Sequence, residues 1–241
     1  QYTATSLRSR DVVDGLHYLD AATFGGQDML MPRWVLFDCG EFPGVVFGFG
    51  RWSQHLSVPA REHYRVADRD DIFVPLSMWV AIRCAEESAW FGHNLSSANV
   101  VLSGAAALPG LATITKMLGV KVTRALKQYG ATQWSSTSVG LHLRLGSLEL
   151  LSAYTPAHTH PDTFAYRLDV ADETLTRSLR HDYRAAAVEG DRIIAANDHD
   201  GIRQLHDGIE QGERWEIVRS ERAGPGNGMS QRMHLRRLGR S

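Results

Sequence analysis

Cysteine is scarce: Cys39 and Cys84 are the only two in 241 residues, and neither has a CxxC neighbour. That spacing cannot build a disulfide framework and predicts reduced thiols, buried as small apolar residues, in a cytoplasmic protein. An excess of one charge is also missing, since 26 Lys and Arg stand against 27 Asp and Glu for a net charge of −1. Whole-molecule electrostatics therefore favour neither nucleic acid nor an acidic membrane as a partner. No uninterrupted run of about 18 apolar residues occurs, so no bilayer-spanning helix is expected. Gln1-Tyr2-Thr3-Ala4 lacks the charged-then-apolar opening of a signal peptide.

Several catalytic signatures are absent too. Gly44, Gly48 and Gly50 are not followed by Lys-Ser/Thr, Ser96-Ser97 lacks the Gly-x-Ser-x-Gly elbow, and no HExxH occurs. Trp34, Trp52, Trp79, Trp90 and Trp134 read as core or pocket wall rather than as nucleic-acid platforms.

What is present fits one sizeable core, or one core with a smaller lobe, at 43% hydrophobic content. Residues 11–24 carry Val12, Val13, Leu16 and Leu19 at helical spacing until Gly25-Gly26 stops them. Residues 34–37 and 45–49 read as two strands of a hairpin turning through Gly40, Pro43 and Gly44. Residues 72–82 and 89–95 read as a second hairpin around Glu86-Glu87-Ser88. A helix is expected over 111–129, with Leu111, Ile114, Leu118, Val122 and Leu126 near a 3.6 period and Gly130 as its cap. Strands follow at 148–154 and 163–170, then helices at 174–188 and 198–211, a strand at 215–218 and a loop at 224–228. From 219 to 240 six arginines face one acid, Glu221, which predicts a solvated tail or an edge strand.

The most informative stretch begins with an apolar strand-like run near residue 95 and reaches the turn Leu108-Pro109-Gly110-Leu111-Ala112-Thr113, which opens the long helical pattern. A strand feeding a glycine turn that opens a helix suits an anionic phosphate. The first turn leaves backbone N–H groups unpaired, and the helix dipole adds partial positive charge.

These residues, with the later Leu143-Arg144-Leu145-Gly146, resemble the acyl-CoA-binding half of the GNAT superfamily of N-acyltransferases. Gly110 and Ala112 match the last two fixed positions of that family's turn, and Ala107 stands where Arg or Gln is expected. Leu7-Arg8-Ser9-Arg10-Asp11 and the pattern after it resemble the opening strand and first helix of such a domain. The resemblance implies an α+β fold over residues 1–170, with a mixed, mostly antiparallel central sheet flanked by helices. Residues 171–241 are then expected to form a helical C-terminal extension. It also implies acetyl-CoA or another acyl-CoA as co-substrate, a small-molecule amine or hydroxyl as acceptor, and room for a homodimer. Gly110, Leu111, Ala112 and Thr113 would hold the pyrophosphate. Ser97 and Asn99 would lie along the strand that binds the pantetheine arm and the thioester carbonyl.

An ammonium acceptor must lose a proton before attack, and Glu86, Glu87 and His93 are the candidate bases. The leaving thiolate needs an acid. The family often uses a Tyr on the helix matching residues 137–145, and His142 stands at the comparable place here. Two rival readings remain. His158-Thr159-His160-Pro161-Asp162 with His199 could ligate zinc or iron in a metal-dependent hydrolase. The aromatic-rich strands could instead wall a non-catalytic pocket for an acyl chain or metabolite.

Overall fold

The structure, a computed structural model, describes residues 10–41, 44–180, 182, 190–223 and 230–240. The chain forms two compact units, Gln1–Ala85 with Phe91–Thr123, and Glu86–Trp90 with Arg124–Ser241. Each combines helices with strands.

The first unit contains α1 (Arg10–Phe24), α2 (Arg33–Glu41), β1 (Gly44–Trp52), α3 (Val58–His63), β2 (Phe73–Arg83), β3 (Ala89–Ser97) from Phe91 onward, and α4 (Leu111–Thr123). Its strands lie in the order β1-β2-β3, with β1 and β2 antiparallel from Gly44↔Ile82 to Trp52↔Phe73. The register slips between Phe49 and Gly50, opposite Pro75, where a residue without an N–H is best tolerated in a sheet.

Alternation along β2 divides the core. Met78 and Val80 pack with Val12, Leu16 and Leu19 of α1 and Leu36 and Cys39 of α2. Ser77 and Trp79, of opposite parity, meet Thr115 and Gly119 of α4. Although the stretch Gly104–Thr123 has the composition of a membrane span, α4 itself has 13 residues, short of the about 20 that cross a bilayer. It buries Lys116, Met117 and Val120 and serves as a core helix.

The second unit contains β4 (Lys127–Gln133), α5 (Val139–His142), β5 (Leu148–Ser152), β6 (Thr163–Asp169), α6 (Asp172–Leu179), β7 (Arg192–Ala195), α7 (His199–Glu210), β8 (Glu213–Ala223) and β9 (Ser230–Arg240). These strands run in the order β4-β6-β5-β8-β9-β7, and their pairings are antiparallel. Trp134, Phe164, Tyr166, Leu148, Ile217, Met233 and Leu235 are among the fully enclosed side chains.

The helices expected from periodicity at 11–24 and 198–211 form as α1 and α7. The latter starts at Asp198, whose carboxylate accepts the Gly201 N–H at 2.9 Å.

Four expectations are corrected. Residues 34–37 are helical, not a strand. The Pro32 carbonyl accepts N–H bonds from Val35 and Leu36 (3.0 and 3.3 Å), and the helix buries Leu36 and Cys39 while Trp34 is 67% exposed. Gly130 caps no helix. α4 ends at Thr123, Arg124 turns the chain at φ 53°, and Gly130 lies in β4 opposite Tyr166. A Cβ there would sit 2.5 Å from the Tyr166 Oη, so that ring needs a glycine across the ladder.

The expected helical extension 171–241 instead holds α6 and α7 together with β7, β8 and β9. The arginine run is neither a tail nor an edge, because β9 pairs with β8 on one side and β7 on the other. β9 buries Gln231, Met233 and Leu235 at alternate positions and turns Arg232 and Arg236 outward. Two guanidiniums of this strand find carboxylates on β8: Arg236 Nε donates to Glu216 at 2.5 Å and Arg237 to Glu213 at 2.7 Å. Residues 7–9, most of the helix end expected at 180–188 and the loop at 224–228 lie outside the described residues.

Candidate functional site

The start of α4 is set by the end of β3. Ser97 closes the strand, and its Oγ accepts the Asn99 N–H at 3.3 Å to begin a single 3-10 turn at Ala98–Val100. Asn99 then reaches across the loop. Its Nδ2 donates to the Leu108 carbonyl at 2.6 Å and its Oδ1 accepts the Leu108 N–H at 2.7 Å. The side-chain amide thereby imitates a strand partner for Leu108 and fixes the approach to Pro109 and Gly110.

Gly110 has φ 76°, a left-handed conformation that glycine adopts without steric cost, and its carbonyl accepts the Ile114 N–H at 2.9 Å. Leu111 N–H is taken up by the Leu108 carbonyl at 3.1 Å. The N–H groups of Ala112 and Thr113 meet no acceptor among the described residues. The predicted residues Ser97, Asn99, Gly110, Leu111, Ala112 and Thr113 thus come together, with Asn99 shaping the turn through its own side chain.

Behind this corner α4 is pressed closely onto β2. Thr115 Oγ1 lies 2.6 Å from Ser77 Oγ and 2.7 Å from the Leu111 carbonyl. A Cβ on Gly119 would collide with the Trp79 ring at Cε3. Lys116, one turn into the helix, is fully buried, and burial pulls its ammonium pKa down to about 7. A lysine on a helix ordinarily faces solvent, and Lys116 departs from that rule.

β3 also carries His93. The imidazole is exposed, and its Nδ1 lies 2.7 Å from Asn94 Oδ1. Asn94 Nδ2 in turn donates to Asp20 Oδ1 at 2.7 Å, and the other carboxylate oxygen accepts the Met31 N–H at 2.7 Å. Asp20 is fully enclosed; burial raises its carboxyl pKa, against the lowering effects of the two hydrogen bonds and of His17 and His93 nearby. Asp20 and Asn94 are absent from the sequence-derived candidates. The legible signal is an acid four residues after Leu16, on the apolar stripe of α1.

Glu86 and Glu87 lie in the exposed turn before β3. Glu86 pairs with the Lys127 ammonium and accepts the Tyr129 hydroxyl at 2.8 Å, and these bonds hold its carboxyl below the usual range. His142 ends α5 with its ring centroid 5.3 Å from that of buried Tyr166.

The residues of the metal reading are engaged locally. His158 Nδ1 accepts the His160 N–H at 2.9 Å, and His199 pairs with Asp162 at 3.0 Å. Among the described residues no three His, Cys, Asp or Glu side chains gather as a metal ligand set.

No family model matches the sequence, and no curated protein matches it. Two of the solved structures similar to the chain illustrate the likeness. One, from crystals of the NatC complex bound to Gag peptide and CoA, has a TM-score of 0.49 and 11% identity, covering 68% of this chain and 94% of the other. The second is a putative acetyltransferase of the GNAT family from Desulfovibrio desulfuricans, with a TM-score of 0.31 and 16% identity over 41% of this chain and 64% of its own.

Proposed function

We propose that this chain binds an acyl-CoA at the start of α4 and transfers its acyl group to an amine, or a hydroxyl, of a small-molecule acceptor. The observation that carries the reading is the corner at Gly110. A residue without a side chain begins the helix at φ 76°, two N–H groups behind it are unpaired among the described residues, and Asn99 braces the loop in front. Such a corner offers donors and the positive end of a helix dipole to a pyrophosphate.

β3 leads into this corner, and His93 lies four residues before Ser97, about 13 Å along an extended strand. An elongated thioester lying along β3 with its diphosphate at Gly110 would bring its acyl end toward an exposed imidazole. On the opposite face of the same strand, Ser96 Oγ is enclosed and meets no partner among the described residues.

The proposal is tested by incubating the full chain with acetyl-CoA and a panel of primary amines and following free thiol release. Thiol release that depends on the amine supports transfer. Binding of acetyl-CoA without any thiol release would instead favour a non-catalytic acyl-binding module.

A further inference from the structure

We propose that Asp20 and Asn94 are positioning residues that fix the His93 ring as its Nδ1–H tautomer, leaving Nε2 as the general base for the acceptor amine. The inference rests on the acyl-transfer reading for the identity of the proton donor, and on hydrogen-bond direction for the rest.

That direction can be followed from the interior outward. Both oxygens of the enclosed Asp20 accept hydrogen bonds, one from the Met31 N–H and one from Asn94, each at 2.7 Å. A carboxylate that only accepts obliges Asn94 to present its Nδ2 to it. The amide oxygen of Asn94 must then face His93, where it lies 2.7 Å from Nδ1. An oxygen that can only accept requires Nδ1 to carry hydrogen, so in the neutral ring the free lone pair is on Nε2. The Phe91 ring meets the His93 ring in a T-shaped arrangement, 6.1 Å between centroids, and Asp20 feels the charges of both His93 and His17.

In the reaction, His93 Nε2 accepts one proton from the acceptor ammonium. The nitrogen lone pair forms the N–C bond at the thioester carbonyl, and the C–S bond breaks with its electron pair leaving on sulfur. The second proton lost by the nitrogen ends on the thiolate, and the imidazolium returns its proton to water. Atoms and charge balance with an acyl thioester and an amine as the reactants.

Asp20→Asn inverts the chain of donors. The amide introduced at that position would keep its oxygen on the Met31 N–H and turn its NH₂ toward Asn94, obliging Asn94 to flip and present its own NH₂ to His93. The ring would then hold its hydrogen on Nε2 and lose the basic lone pair facing substrate.

The experiment uses the full chain with ¹⁵N-labelled histidine, read by long-range ¹H–¹⁵N correlation of the imidazole, alongside kcat and KM with acetyl-CoA. The expected wild-type tautomer is Nδ1–H, which free imidazole side chains disfavour. Asp20→Asn should switch it to Nε2–H and lower kcat at least tenfold with the KM for acetyl-CoA unchanged. His93→Gln should lose about 100-fold or more, the usual contribution of a general base.

Should Asp20→Asn fail to fold, Asn94→Ala removes the acceptor from the strand surface and should also abolish the Nδ1–H preference and lower kcat. A wild-type ring in the Nε2–H form, or full kcat in Asn94→Ala, would overturn the proposal. Wild-type protein that shows the Nδ1–H tautomer yet turns over no acetyl-CoA would instead refute the acyl-transfer reading and, with it, the role of His93 as base.

Discussion

Asn99 holds Leu108 by both ends of its amide, donating to the carbonyl at 2.6 Å and accepting the N–H at 2.7 Å. This pair closes the loop that delivers the chain to Gly110. Asn99→Leu removes both bonds at about 1 kcal/mol each. Hydrogen exchange at the Leu108 amide should accelerate, and CoA affinity should fall about tenfold while the far-UV spectrum stays that of the wild type. Asn99→Asp keeps the acceptor and loses the donor, so it should fall between the two.

Gly119→Ala tests how α4 is seated. Alanine is the better helix former by about 1 kcal/mol, but its Cβ would collide with the rigid, fully buried Trp79 ring. Overpacking of that kind costs about 1–3 kcal/mol. The expected result is a lower melting temperature together with weaker CoA binding, since the helix that carries the corner must shift. A melting temperature above that of the wild type would contradict the close seat.

Lys116 gives the stability a pH dependence of known sign. Its ammonium pKa is about 7 in the folded chain against an ordinary value of 10.5. Between these values the unfolded chain holds a proton that the folded chain has released, so this group makes stability rise as pH increases from about 7 to about 10.5. Lys116→Met should flatten that rise. The difference between this variant and the wild type should favour the variant most at pH 6, where burying the charge costs most, and shift toward the wild type as pH rises. Chemical denaturation at pH 6, 8 and 10 checks both.

Much of the scaffold can be read from local pattern. Val12, Leu16 and Leu19 announce α1, and Asp198 announces the start of α7, because each signal lies within the element it specifies. Trp34-Val35-Leu36-Phe37 misleads because four apolar residues fit a strand or a helix equally, and only the burial of Leu36 and Cys39 decides. Gly130 misleads for a different reason. The demand for glycine comes from Tyr166, 36 positions later in the numbering and opposite in the ladder. The arginines of β9 look solvated until Glu213 and Glu216 on β8 are set beside them.

The candidate site divides in the same way. Gly110 and the N–H groups after it follow from a turn that opens a helix. The union of Asp20 with Asn94 spans 74 residues and belongs to no motif. Lys116 is legible in the sequence only as one of several lysines on an amphipathic helix, and its burial depends on the packing of α4 against its unit.

The most direct measurement is calorimetric titration of CoA into the wild-type chain and into Gly110→Val. At φ 76° a β-branched residue is strained by about 1–3 kcal/mol, so the turn that opens α4 must rearrange to accept it. A diphosphate site at this corner predicts saturable binding to the wild type and none to a Gly110→Val protein that is still folded by circular dichroism. Absence of binding to the wild type, or equal binding to both proteins, would contradict it.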